Sequence, residues 1–66
     1  MIIHLNGLDE TVPAPMTIAD LIAHVKEGDP DLIVERNGRY VHARDYETIQ
    51  LEENDRIEFI NPNLGG

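Results

Sequence analysis

Apolar residues fall along this chain at two spacings, and each spacing predicts its own element. The opening Met1-Ile2-Ile3-His4-Leu5 is apolar and β-branched and runs into Asn6-Gly7, the dipeptide that supplies both positive-φ positions of a type I′ hairpin. A second strand is therefore expected to return from Leu8 to Val12. Pro13-Ala14-Pro15 ends it, because neither proline donates to a ladder and each biases its predecessor away from helix. After Pro15 the period changes. Ile18, Leu21, Ile22 and Val25 stand at i, i+3, i+4 and i+7, forming the apolar stripe of an amphipathic helix with Asp20, His24 and Lys26 off it. Thr17 fits the N-cap, and Asp20 three residues on nearly completes a capping box, in which the two residues satisfy each other's free amides. Gly28 is the expected stop.

Asp29-Pro30-Asp31 is turn chemistry, and Leu32 to Arg36 reads as a strand apolar enough to be central. Asn37-Gly38 repeats the hairpin signal, with Arg39 to His42 as the return strand and Ala43 to Glu47 as a connection. Thr48 to Leu51 fits either a brief extended piece or one helical turn. Glu52-Glu53-Asn54-Asp55 reads as a solvated polar turn in which Asn54 suits left-handed backbone. Arg56 to Ile60 then alternates, which puts Ile57 and Phe59 on the core face. From Asn61 to Gly66 no regular structure is expected, only a mobile tail. One helix must cover the whole sheet, so the class is α+β, and the last strand fits most economically between the two hairpins, parallel to the first. The expected organisation is one folded domain over residues 1–61 and a flexible tail over 62–66.

Sixty-six residues allow one small domain, near the size where folding buries only about 60% of the unfolded chain's surface. At 41% hydrophobic and 27% charged, the chain has the balance of a folded protein. Thirteen acidic residues against five Lys and Arg give a net charge of -8, which repels nucleic acid and anionic membrane and favours a basic partner surface. Met1 leads directly into Ile2-Ile3 with no basic n-region, and no apolar run nears the roughly 18 residues of a span. The chain is expected to be cytoplasmic, complete and monomeric when free.

Candidate chemistry is sparse. With no cysteine there is no disulfide, thiolate metal site or thiol nucleophile. There is no serine either, and Thr11, Thr17 and Thr48 have local structural roles. His4, His24 and His42 fall on three different elements, and the acidic run 52–55 lacks the alternating spacing of a calcium loop. Gly7, Gly28 and Gly38 are isolated turn residues, so no glycine-rich loop cradles a phosphate. No catalytic residue and no metal site is assigned, and the protein is expected not to be an enzyme. What remains is Gly65-Gly66, two residues without Cβ that can thread a narrow channel and present a terminal carboxylate.

Taken in order, several segments resemble the ThiS family, the sulfur carriers of thiamine biosynthesis. They are Asn6-Gly7, Thr17-Ile18-Ala19-Asp20-Leu21-Ile22, Val34-Glu35-Arg36-Asn37-Gly38, Arg44-Asp45-Tyr46, Asn54-Asp55-Arg56-Ile57-Glu58-Phe59 and Gly65-Gly66. The resemblance covers nearly the whole chain. It implies a β-grasp (ubiquitin-like) fold, with a four- to five-stranded mixed sheet packed on one helix and a flexible C-terminal Gly-Gly tail. It also implies a carrier whose Gly66 carboxylate is adenylylated by a ThiF-like adenylyltransferase that uses ATP and Mg, with Gly65 as the thin lead-in. Sulfur from a cysteine desulfurase or other persulfide donor then converts the acyl adenylate to a thiocarboxylate, which serves thiazole synthase (ThiG-like). The chain itself binds no cofactor in this scheme.

Two departures stand out. Asn54-Asp55 replaces the Gly-Asp usual in the family, a change Asn accommodates because it also tolerates left-handed backbone. Asn61-Pro62-Asn63-Leu64 is not a small apolar lead-in, and its proline is similar to the molybdopterin-synthase small subunit, which leaves a carrier for that pathway as an alternative. A ubiquitin-like protein modifier or docking module is the reading from a different class. By alternation, Ile33 and Ile60 fall on the uncovered sheet face, with Leu64 beside them, as a candidate partner patch.

Overall fold

The computed structural model describes residues 1–63. In chain order the elements are β1 (Ile2–Leu5), β2 (Leu8–Thr11), α1 (Ile18–His24), β3 (Ile33–Arg36), β4 (Arg39–Val41), a single 3₁₀ turn at Ala43–Asp45, and β5 (Arg56–Ile60). Five strands form one mixed sheet in the order β2-β1-β5-β3-β4. The last strand does lie between the hairpins, parallel to β1 with His4 opposite Arg56 and antiparallel to β3 with Val34 opposite Phe59.

Both hairpins turn as their sequences require. Asn6 and Gly7 have φ of 50° and 82°, Asn37 and Gly38 have 52° and 83°, and all four lie in the left-handed region demanded by a type I′ turn. The asparagine side chains do more than tolerate that geometry. Asn6 Oδ1 accepts the Phe59 N–H at 2.8 Å, continuing the β1–β5 pairing past Leu5. On the other edge, Asn37 Oδ1 accepts the Arg56 N–H at 2.9 Å.

The capping box of α1 is present, with Asp20 N–H donating to Thr17 Oγ1 and Thr17 N–H to Asp20 Oδ2, each at 3.0 Å. The remaining free amides of the first turn are met from outside the helix. Ile18 N–H donates to the Ile49 carbonyl at 3.2 Å and Ala19 N–H to that of Tyr46 at 2.8 Å. Gln50 forms a single antiparallel bridge with Thr17, so the open choice for Thr48 to Leu51 resolves as extended chain at Gln50.

Gly28 does not stop the helix. Val25 is the C-cap, and Lys26 takes the left-handed position with φ of 59°. Glu27 N–H bonds the Ile22 carbonyl at 2.9 Å and Lys26 N–H that of Ala23 at 3.1 Å, the two bonds of a Schellman motif. Val25, last member of the predicted stripe, is 39% exposed, so no burial draws the helix into another turn.

Ile18 and Leu21 of α1 are fully buried together with Ile3, Val34 and Ile57 from β1, β3 and β5. Each such side chain stabilises by about 1.5–3 kcal/mol. Val12, Met16, Val41, Leu51 and Phe59 complete the core. Among the described residues no helix is long and apolar enough to cross a membrane.

A left-handed lysine at a position that suits glycine leads to a prediction. Lys26→Gly raises stability by about 0.5–1 kcal/mol, the relief of left-handed strain net of glycine's extra chain entropy. In thermal unfolding this appears as a rise in midpoint of about 2–8 °C.

Candidate functional site

Three of the residues singled out from sequence, Leu64, Gly65 and Gly66, lie outside the described residues. What is described is the point where the chain leaves the fold. Regular structure ends at Ile60, as expected, but the next residues are tied back where a free segment was expected from Asn61 onward. Asn61 Nδ2 donates to Glu27 Oε1 at 3.2 Å and to Asp29 Oδ2 at 3.0 Å, and Asn63 Nδ2 donates to Asp31 Oδ2 at 2.7 Å. These bonds reach the loop that precedes β3, and β3 runs beside β5 with Ile33 opposite Ile60. The Asn61 amide and the Asp31 N–H together lower the pKa of Asp29 from 3.8.

Ile33 and Ile60 are brought together as cross-strand partners. They lie on the face opposite Val34 and Phe59 and therefore away from the core. Ile60 is 39% exposed, and Ile33 is half-buried. The next facing pair on that surface is Glu35 and Glu58, and Tyr40, opposite Glu35 on β4, is 60% exposed. Elsewhere, Ala19 and Ile22 of α1 face Ala43, Arg44, Tyr46 and Glu47 across a shallow groove of about 470 Å³. Burial there, with a smaller contribution from Tyr40, raises the Tyr46 hydroxyl above its ordinary 10.0.

The acidic run holds a correction. It is not wholly solvated, because Asp55 is only 5% exposed. Asp55 Oδ2 accepts from Arg36 Nε at 2.9 Å and from the Glu52 N–H at 2.8 Å, while Oδ1 accepts from Asn37 Nδ2 at 3.0 Å. Glu53 also reaches back, taking the Ile2 N–H at 2.7 Å. The reason is topological: the run enters β5 between the two hairpins, which supply donors that a local reading of the turn does not see. Asn54 is left-handed as expected, with φ of 68°.

The three histidines stay apart. His4 Nδ1 lies 2.6 Å from Asp9 Oδ1, His24 ends α1, and His42 packs edge-on against Tyr40. Among the described residues no group of three or more His, Asp or Glu is placed to hold a metal ion. Thr17 and Thr48 are engaged with the backbone of their own turns.

With this geometry established, the likenesses are specific. The family model for ThiS matches residues 3–66. A crystal structure of the thiamine biosynthesis protein ThiS from Geobacter metallireducens aligns with a TM-score of 0.86 at 23% identity, covering 100% of both chains. A solution NMR structure of a thiamine biosynthesis protein from the same organism aligns with a TM-score of 0.82 at 23% identity, covering 100% of this chain and 88% of that one. At this identity the structural likeness establishes the β-grasp fold. No curated protein sequence matches the chain.

The Asp55 node generates a prediction about acid. Burial raises the Asp55 carboxyl, but the Glu52 N–H, the Asn37 amide and the Arg36 guanidinium outweigh it and hold the pKa below 3.8. The folded state therefore binds this proton less readily than the unfolded one. The stabilisation is complete above the ordinary value and is lost as pH falls through the folded-state value. Asp55→Asn costs about 2–3 kcal/mol at neutral pH, allowing for the partial exposure of Arg36. It also removes this residue's share of the wild-type stability loss in acid, measured by urea unfolding from neutral pH downward.

Proposed function

Because the chain belongs to the ThiS family, we propose that it is a sulfur carrier of thiamine biosynthesis, a protein substrate whose working atom is the carboxylate of Gly66. The observation that carries this reading is the span of the family match, which runs through residue 66 and so takes in Gly65-Gly66. A carboxylate is a poor electrophile until it acquires a leaving group. A ThiF-like adenylyltransferase supplies one: the Gly66 carboxylate attacks the α-phosphorus of Mg-bound ATP, pyrophosphate leaves, and an acyl adenylate forms. The outer sulfur of a persulfide, from a cysteine desulfurase or a similar donor, attacks the acyl carbon and AMP leaves. A thiol then cleaves the resulting acyl disulfide, leaving the thiocarboxylate that thiazole synthase consumes.

The fold supports a carrier in two ways. Among the described residues the core lies between Ile3 and Phe59, so it is built without the C-terminal segment that follows β5. Its net charge of -8 favours encounter with a basic enzyme surface. We assign the Ile33–Ile60 pair to the docking surface, together with Leu64, which lies outside the described residues.

Incubation of the untagged protein with ATP, activating enzyme, cysteine desulfurase and cysteine adds the mass of sulfur minus oxygen to the C-terminal fragment. Unchanged mass with demonstrably active enzymes overturns the carrier reading, and adducts on target lysines replace it with a protein modifier. Deleting Gly65-Gly66 abolishes adenylylation and leaves the thermal midpoint unchanged. Ile33→Ala with Ile60→Ala lowers kcat/KM for adenylylation by about fivefold or more; wild-type rates in that variant remove these residues from the interface.

A further inference from the structure

The chain is not released when it leaves the sheet. Asn61 bridges Glu27 and Asp29, and Asn63 holds Asp31. Two of the three acceptors are themselves fixed, because Glu27 Oε1 takes the Asp29 N–H at 3.0 Å and Asp29 Oδ1 takes the Asp31 N–H at 2.8 Å. Pro62 between the two asparagines has a locked φ and no N–H, which lowers the entropy lost in holding the turn. The described ion pairs involve Asp9, Glu52 and Asp55, so the loop's three carboxylates are engaged by the tail's neutral amides and by backbone N–H groups rather than by a cation.

The consequence is one of reach. On the carrier reading, Leu64, Gly65 and Gly66 separate Asn63 from the working carboxylate, and three extended residues span at most about 11 Å, whereas six starting at Asn61 would span about 22 Å. Fixing Asn61 to Asn63 during folding halves the length of tail that must be ordered when the terminus enters an enzyme, and ordering backbone is a main cost of such binding. Deepening the carrier reading and resting on it, we propose that Asn61 and Asn63 are positioning residues, a clasp on the loop before β3 that sets the reach and direction of the Gly66 carboxylate. The lowered pKa of Asp29 agrees with a bond that favours the ionised acceptor.

The test compares wild type with Asn61→Ala/Asn63→Ala in steady-state adenylylation. The variant keeps the wild-type thermal midpoint, shows lower ¹⁵N order parameters at its two replaced positions, and loses about tenfold in kcat/KM through KM, with kcat kept. A second variant, Glu27→Ala/Asp29→Ala/Asp31→Ala, removes all three acceptors and breaks the clasp from the other side. Compared at high salt, where the lost charge counts least, it gives a similar loss, and the fivefold variant loses no more than either set, because both remove the same contacts. Losses that multiply, or a kcat/KM equal to or above wild type once the order parameters have dropped, overturn the clasp as a positioning device. Absence of adenylylation in the wild type instead overturns the carrier reading, and the clasp's role falls with it.

Discussion

The fold depends on how β5 is held. This strand is last in sequence and central in space, so it pairs with β1 on one edge and β3 on the other, and neither hairpin completes the sheet without it. Asp55, at its entrance, joins the two halves. Its carboxylate receives Arg36 and Asn37 from the β3–β4 hairpin, and its backbone carbonyl receives the His4 N–H of β1 at 2.8 Å. A buried carboxylate is costly unless every lone pair finds a donor, and among the described residues no buried side-chain polar atom lacks a partner. Asn6 and Asn37 then take N–H groups of β5 from opposite edges. The register of the sheet follows from these contacts together with the alternation that buries Ile57 and Phe59.

What was legible in the sequence was local. Two Asn-Gly turns, the Thr17–Asp20 capping box, the apolar stripe of α1 and the alternation of β5 each signal within a few residues, and the structure contains them, except that Val25 of the stripe is the exposed C-cap. The missed features join segments far apart in the chain. Asp55 meets Arg36 across 19 positions, and Asn61 meets Asp29 across 32. No periodicity encodes such a pair, because it exists only once the topology has brought β3 beside β5. Gly28 misled for a related reason: a glycine near a helix end is a good generic stop, but the Schellman bonds of Glu27 and Lys26 had already closed the helix. The proposal for the Gly66 carboxylate rests on its chemistry and on the family likeness, because that residue lies outside the described ones.

The treatment of negative charge follows one rule through much of the molecule. Arg36 serves Asp55, but other carboxylates are bound by uncharged donors: Asp20 by the Thr17 N–H, Glu53 by the Ile2 N–H, and Asp29 and Asp31 by asparagine amides. Amide donors satisfy the hydrogen-bonding capacity of a carboxylate without cancelling its charge. The field of a chain at -8 is therefore left largely standing outside the fold, where it acts over about a Debye length, roughly 8 Å at physiological salt. Such a field contributes to encounter rate and orientation with a basic surface more than to the holding of a complex.

The outer sheet face shows what folding alone does not explain. Glu35 stands directly opposite Glu58, a like-charge pairing that costs a sheet a few tenths of a kcal/mol up to about 1 kcal/mol. Beside it the Ile33–Ile60 pair leaves apolar surface on the side away from α1. A sequence selected for stability alone would exchange one glutamate for lysine. Ile60 is also the last residue of β5, so this surface adjoins the point where the clasped segment begins. A partner that meets the glutamates with cations relieves their repulsion, and one that covers the isoleucines gains the burial that folding leaves undone. On the reading proposed above, such a partner also meets the origin of the C-terminal segment, so the proposed docking surface and the proposed clasp adjoin one another at Ile60 and Asn61.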